Sequence, residues 1–297
     1  MIQNIELIDL NNFKPLKSAI VNANNDLSIL SAKKAYELGL IEPVLIGNLD
    51  IIKKLLIDNN WPEFAEHIIE SDSEVKSAQI ACYMAKNNDI SLIVKGHMHS
   101  DVLMSEFINP EHDLLVKGSR LSHIWMMSFE DGRGPLIITD GALNIKPTVR
   151  TKQKIIQNCL KFTKNLDNFI PKVAILSATE KPLENLESSI DASKIMDWAK
   201  KEIPDISIYG PLAFDNAVSK EAANIKGNDG NVAGQANILI APNIETGNAL
   251  VKVMVNFMNA TAGGFVVSGK LPVVITSRSH NIDCRVSSIV NSILSID

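Results

Sequence analysis

Short apolar runs recur along this chain, and most of them lead into a stretch of helical periodicity. "EPVLIGN" at 42–48 precedes "LDIIKKLLIDNN" at 49–60. "EHIIES" at 66–71 precedes a helical stretch at 73–88 with Ser73 as its N-cap, and "SLIVKG" at 91–96 precedes one at 101–108. The runs at 172–178 and 237–242 are followed in the same way by helical stretches near 190–201 and 244–258. Another helical stretch spans about 27–38, and a long one spans 150–168. Buried runs alternating with helices predict an α/β fold with a mostly parallel sheet. Two places break the alternation. "SHIWMMSF" (122–129) and "GPLIITDG" (134–141) flank the turn-prone "EDGRG", which predicts a hairpin. Strands at 263–269 and 271–276 follow one another directly before a final helix at 282–294.

A chain of 297 residues has room for about two domains. Its formal net charge of −5 and lack of a basic stripe argue against a nucleic-acid partner. No apolar run approaches the roughly 18 residues of a membrane span. The amino end carries Glu6 and Asp9 instead of the basic residues of a secretory leader. Cys82, Cys159 and Cys284 lie far apart with no CxxC, so a reduced cytoplasmic protein is expected.

In a parallel α/β sheet, ligands bind beyond the carboxyl ends of the strands. Thr276-Ser277-Arg278 stands at such an end, just before the final helix. A helix N-terminus offers free N–H groups and the positive end of a dipole, which suits an anion. The helix has apolar residues at Val286, Ile289, Val290 and Ile293, Asn281 as a candidate N-cap, and Asp283 in its first turn. Ser277, Arg278 and Asp283 together can bind a phosphate or oxyanion and accept a proton. A polar turn followed by an acid that compensates the helix dipole uses the same residue types. In "VKGHMHSDVLM" (94–104), His97 and His99 could join a metal site if a third ligand came from elsewhere, but no complete ligand set is visible. Substrate contact by His99 or Ser100 and a solvated helix-capping turn are the other readings. Asp140 and Asn144 follow one strand, and Asp215 and Asn216 precede a helical run. No Walker A loop or GxGxxG is present.

Five blocks in order are more specific than any one of them: "VKGHMHSDVLM", "LSHIWMM", "LIITDGALNIKPT", "GPLAFDNAVSKEAA…VAGQANILIAPNIETGN" and "VVITSR". From about residue 30 to the end they resemble the phosphate acetyltransferase and phosphate butyryltransferase family. They are most similar to the branch often fused to a MaoC-like enoyl-CoA hydratase domain. The resemblance implies two α/β domains around a cleft, with a fold like that of isocitrate and isopropylmalate dehydrogenases. Residues 1–116 with 264–297 would form the first domain, and 117–263 the second, through which a homodimer would form. The implied reaction interconverts a short-chain acyl-CoA plus phosphate with acyl phosphate plus CoA, by direct transfer in a ternary complex. No metal or tightly bound cofactor is implied; coenzyme A is substrate or product.

By the same resemblance, Ser277 would hydrogen-bond the thiol sulfur and Arg278 would bind phosphate or the oxyanion. His280 stands where many butyryl-type relatives have an aspartate, so the base is open between Asp283, His280 and none. Further phosphate neutralisation would come from Lys95, Lys117 or Arg120. His99, Ser100, Asp140, Asn144, Asp215 and Asn248 complete the candidate substrate-binding set. The alternatives are a noncatalytic descendant that binds CoA or a partner, and a dehydrogenase of the related fold.

Overall fold

The computed structural model describes residues 2–228, 230–277 and 280–296; Met1, Asp229, Arg278, Ser279 and Asp297 lie outside the described residues. The chain divides into two compact units, Met1–Ser119 with Gly263–Asp297, and Arg120–Ala262.

The first unit is wound on a sheet of β1 (Leu16–Val21), β2 (Ile41–Gly47), β3 (Ile68–Glu70), β4 (Leu92–Lys95), β10 (Thr261–Val267) and β11 (Val273–Val274). The strand order is β3-β2-β1-β4-β11-β10, with every described pairing parallel except β10 with β11. Between strands run α1 (Asp26–Glu37), α2 (Leu49–Asp58), α3 (Glu74–Lys86) and α4 (Ser100–Phe107). The helix α10 (Ile282–Leu294) closes the unit. Helix starts follow the expected capping chemistry. The Asn25, Asn48, Ser73 and Asn281 side chains each accept a backbone N–H from the first turn of α1, α2, α3 and α10. The core packs Ile20, Leu45 and Leu92 of the sheet against Ile29, Ile52, Ile289 and Val290 of the helices.

α10 carries the apolar face expected of it, yet the opposite face is not solvated. Every residue from Cys284 to Ile293 is buried. Ser287 Oγ accepts the Gln3 N–H at 3.0 Å, and Ser288 Oγ accepts the Gly264 N–H at 2.9 Å. Asn291 Oδ1 accepts from Asn4 Nδ2 at 2.8 Å. The small polar residues therefore dock the helix against the amino-terminal segment and β10, with their polar atoms satisfied inside the protein.

The second unit holds β5 (Ser122–Ser128), β6 (Leu136–Thr139), β7 (Lys172–Leu176), β8 (Ser207–Leu212) and β9 (Ile238–Ile240) in the order β5-β6-β9-β7-β8. β5 and β6 are antiparallel, the hairpin expected from "EDGRG"; the other pairs are parallel. Its helices are α5 (Val149–Thr163), α6 (Glu187–Glu202), α7 (Phe214–Val218), α8 (Lys220–Ile225) and α9 (Ile244–Phe257).

Two strands were not foreseen, and one expected helix ends early. β1 was not foreseen because Lys17 and Ser18 interrupt its apolar run; Ser18 is nonetheless buried, its hydroxyl donating to Leu16 O at 2.8 Å. β8, which contains Gly210-Pro211, was not foreseen either. It is an edge strand, where a proline costs no ladder hydrogen bond. α5 ends at Thr163 instead of 168, and Asn168 then takes a left-handed φ of 57° as the chain turns toward β7. Among the described residues, no helix is long and apolar enough to cross a membrane.

Candidate active site

The site builds up from the strand ends of the first unit. β1 lies between β2 and β4, so the connections diverge there and open a crevice at the carboxyl ends. The Gly96 N–H donates to Val21 O at 2.8 Å, and the His97 N–H donates to Asn22 O at 2.9 Å. These bonds staple the segment after β4 to the segment after β1. Gly96 is required for that approach: a Cβ there would lie 2.5 Å from Val21 O. Asn22 takes a left-handed φ of 57°, a conformation Asn tolerates. Asn25, the cap of α1, places its Nδ2 3.2 Å from His97 Nδ1.

β11 runs parallel to β4, with Val274 paired to Val94. The segments 95–99 and 275–277 therefore leave the sheet side by side. Ser277 is half-buried, and its carbonyl accepts the His280 N–H at 3.2 Å. Arg278 lies outside the described residues. His280 itself is buried. Three helices thus begin next to these strand ends: α1 after β1, α4 after β4 and α10 after β11. Their free N–H groups and dipoles favour an anion. Lys95 is 2% exposed and its ammonium donates to Met98 O at 3.0 Å. His99 is exposed at the cap of α4, its backbone N–H bonded to Glu74 Oε2 at 3.1 Å, and Ser100 is half-buried beside it.

Asp283 occupies the first turn of α10, as the spacing predicts, but it has a cationic partner that sequence reasoning missed. Lys34 Nζ of α1 lies 2.7 Å from its Oδ1. The hydrogen bond from Lys34 holds the Asp283 carboxyl below the usual carboxylate range. A carboxylate so stabilised is a weak proton acceptor near neutral pH. The sign of its contribution to stability follows. The pair's stabilisation is complete above the ordinary aspartate range and is lost as pH falls through the lowered folded value.

The second-unit candidates divide into two groups. Arg120, Asp140, Asn144 and Asn248 form one network around the turn after β6. Arg120 Nε donates to Asn144 Oδ1 at 2.8 Å. Asn144 Nδ2 donates to Asp140 Oδ2 at 2.7 Å and to Leu121 O at 3.0 Å. Asp140 also accepts the backbone N–H groups of His123, Ala142 and Leu143. Asn248 Nδ2 reaches Gly141 O at 3.2 Å. Gly247 permits this closeness, since a Cβ there would stand 2.7 Å from Asp140 O. The Asp140 carboxylate is 2% exposed and fully engaged by donors, so its visible work is to hold the turn. Asp215 stands apart from them, half-exposed, with Lys226 Nζ at 3.2 Å from its Oδ2.

A cavity of about 680 Å³ opens within the second unit at the carboxyl ends of β7 and β9. Ser177, Ser188, Asn243 and Phe214 are among its walls. So are Lys152 and Asp191, a nearly buried pair at 2.8 Å. Sequence reasoning missed this pair because its members are 39 residues apart on different helices.

Burial pushes the Cys82 and Cys159 thiols up to about 12, so neither supplies a thiolate nucleophile near neutral pH. Among the described residues, no group of three or more His, Cys, Asp or Glu is placed to hold a metal ion.

Comparison with known proteins shows what this arrangement belongs to. The family model described as "Phosphate acetyl/butaryl transferase" matches residues 63–295. The chain is 35% identical over 286 residues to a phosphate acetyltransferase of Rickettsia felis, covering 96% of this chain and 82% of the relative. It is 29% identical to a phosphate butyryltransferase of Clostridium beijerinckii, covering 93% and 91%. The crystal structure of a branched-chain phosphotransacylase from Enterococcus faecalis matches with a TM-score of 0.80 at 28% identity, covering 94% and 98%. A putative 4-hydroxythreonine-4-phosphate dehydrogenase from Salmonella typhimurium matches at the level of fold alone, with a TM-score of 0.56 at 14% identity and coverage of 94% and 99%. The protein is thus an acyltransferase on a dehydrogenase-like α/β fold. It belongs to the phosphate acetyl/butyryl transferase family.

Proposed function

We propose that this enzyme interconverts a short-chain acyl-CoA plus phosphate with acyl phosphate plus CoA, by direct attack within a ternary complex. The observation that carries the reading is the position of Ser277. It leaves the sheet beside the end of β4, next to three helix N-termini and above the buried Lys95. Phosphate carries about two negative charges and is a weak nucleophile, so positive potential and fixed orientation are what it needs. In this reading the Ser277 hydroxyl donates to the thioester sulfur as it becomes a thiolate, and Arg278 holds phosphate. The C–S bond breaks as the P–O–C bond forms, and the CoA thiolate then takes a proton. His280 adjoins Ser277 through its backbone bond and is assigned that proton transfer. Lys95 supplies charge from below, while His99 and Ser100 line the start of α4. The Arg120–Asn144–Asp140–Asn248 network holds the turn after β6 within the second unit.

Thiol release from acetyl-, propionyl- and butyryl-CoA with phosphate, and with arsenate in its place, tests the reading. Release that depends on either anion supports it and ranks the acyl groups. CoA binding without turnover would replace it by the noncatalytic alternative. Asp283→Asn should leave the shape of the pH–rate profile unchanged, because the Lys34 ion pair makes it a weak proton acceptor in this reading. Loss of the acidic limb of that profile would restore Asp283 to the role.

The same reading includes a homodimer formed through the second unit. α9 supports it: Ala249, Val253 and Phe257, four residues apart, share one exposed face, and Phe257 is 85% exposed. Sedimentation should give a dimer that Phe257→Glu weakens; a wild-type monomer at micromolar concentration would remove this part.

A further inference from the structure

Beneath the ends of β4 and β11, the first unit encloses a void of about 10 Å³, room for roughly one water-sized sphere. Its walls include the cationic side chains Lys95 and Arg285 and the hydroxyl-bearing Ser28, Ser31 and Thr276. The rest of the lining is aliphatic, and no acidic residue lines it among the described residues. Arg285 is 3% exposed. Its side chain's one hydrogen bond among the described residues is from Nε to His280 O, long at 3.4 Å, and no carboxylate there pairs with it. Burial lowers its pKa from the ordinary guanidinium value. A guanidinium removed from water is costly unless oxygen acceptors or an anion replace its hydration.

The neighbouring groups also point toward a ligand. The hydroxyls of Ser28 and Ser31 are committed to Asn25 Oδ1 and Leu27 O. Thr276, 4% exposed, makes no side-chain hydrogen bond among the described residues, so its hydroxyl is available as a donor. α1, β1, β4, β11 and α10 all face the void, and the charges they bring to it are positive.

We propose that this void is a resident site for one small monovalent inorganic anion of chloride size, held between Lys95 and Arg285 with the Thr276 hydroxyl as a third donor. Phosphate is too large for it, so the site is separate from the substrate anion. The bound anion would, through Arg285, steady the carbonyl of His280 just ahead of α10. The site shares Lys95 with the acyl-transfer reading, but its test needs no turnover.

The whole protein is unfolded thermally in sodium chloride and in sodium gluconate at equal ionic strength. Chloride should raise the midpoint saturably by about 3 °C. Arg285→Met and Thr276→Val should each lose at least half of that shift. Crystals grown or soaked in sodium bromide should show an anomalous peak in the void, a measurement on the wild type that survives any failure of Arg285→Met to fold. Equal midpoints in the two salts would overturn the proposal, and a bromide peak without a chloride-specific shift would reduce it to binding at crystal concentration only. A void holding water alone would overturn it as well.

Discussion

Ser277→Ala should lower phosphate-dependent thiol release about 100-fold, the loss usual for one donor aimed at developing charge. That corresponds to about 2.7 kcal/mol of transition-state stabilisation. The unfolding midpoint should barely change, because Ser277 is half-buried and its backbone carbonyl, which accepts the His280 N–H, is kept in the variant. The reason for so large a kinetic effect is position. In the proposed reading the hydroxyl stands where a strand end meets helix N-termini, and the charge of C–S cleavage would develop beside it. Activity within a few-fold of the wild type would detach Ser277 from the reacting sulfur. A parallel loss of stability would make it a structural residue of the turn.

Asp191→Asn is expected to give the largest loss of stability. Lys152 Nζ lies 2.8 Å from Asp191 Oδ2, and the two side chains are 4% and 15% exposed. Removing the carboxylate leaves the ammonium desolvated and unneutralised, at a cost of about 3–5 kcal/mol. The midpoint should fall by about 10 °C. The Lys152→Met, Asp191→Leu double variant should recover much of this, because the penalty comes from a stranded charge and not from the missing bond. A single variant within about 1 kcal/mol of the wild type would mean that solvent reaches the pair.

Much of this architecture was legible. The alternation of apolar runs and helices marked β2, β4, β7 and β9, the "EDGRG" hairpin, and the caps Ser73 and Asn281. Period is a local property, so a single stretch of chain displays it. The misses have a common cause. β8 carries a Gly-Pro that reads as a turn unless one knows the strand is at an edge. α10 has a serine-rich face that reads as solvated unless one knows that Gln3, Asn4 and Gly264 lie against it.

The site shows the same division. Ser277 was identifiable because a strand end followed by a helix start is a local pattern. Asp283 was found as a residue, but its partner Lys34, whose hydrogen bond lowers its pKa, is 249 positions away. Arg285 was passed over inside an apolar helix.

The sequence by itself determined the α/β class, the order of most elements, the place of Ser277 at a strand end, and the family to which the chain belongs. Only the tertiary structure decided which charges are paired and which are buried. Lys34 meets Asp283, Lys152 meets Asp191, and Arg285 is buried with Lys95 around one void. The reason is physical. Hydrophobic period and capping depend on neighbours within a turn or two, whereas electrostatic free energy depends on distance and solvent exclusion, which chain folding sets between residues remote in sequence.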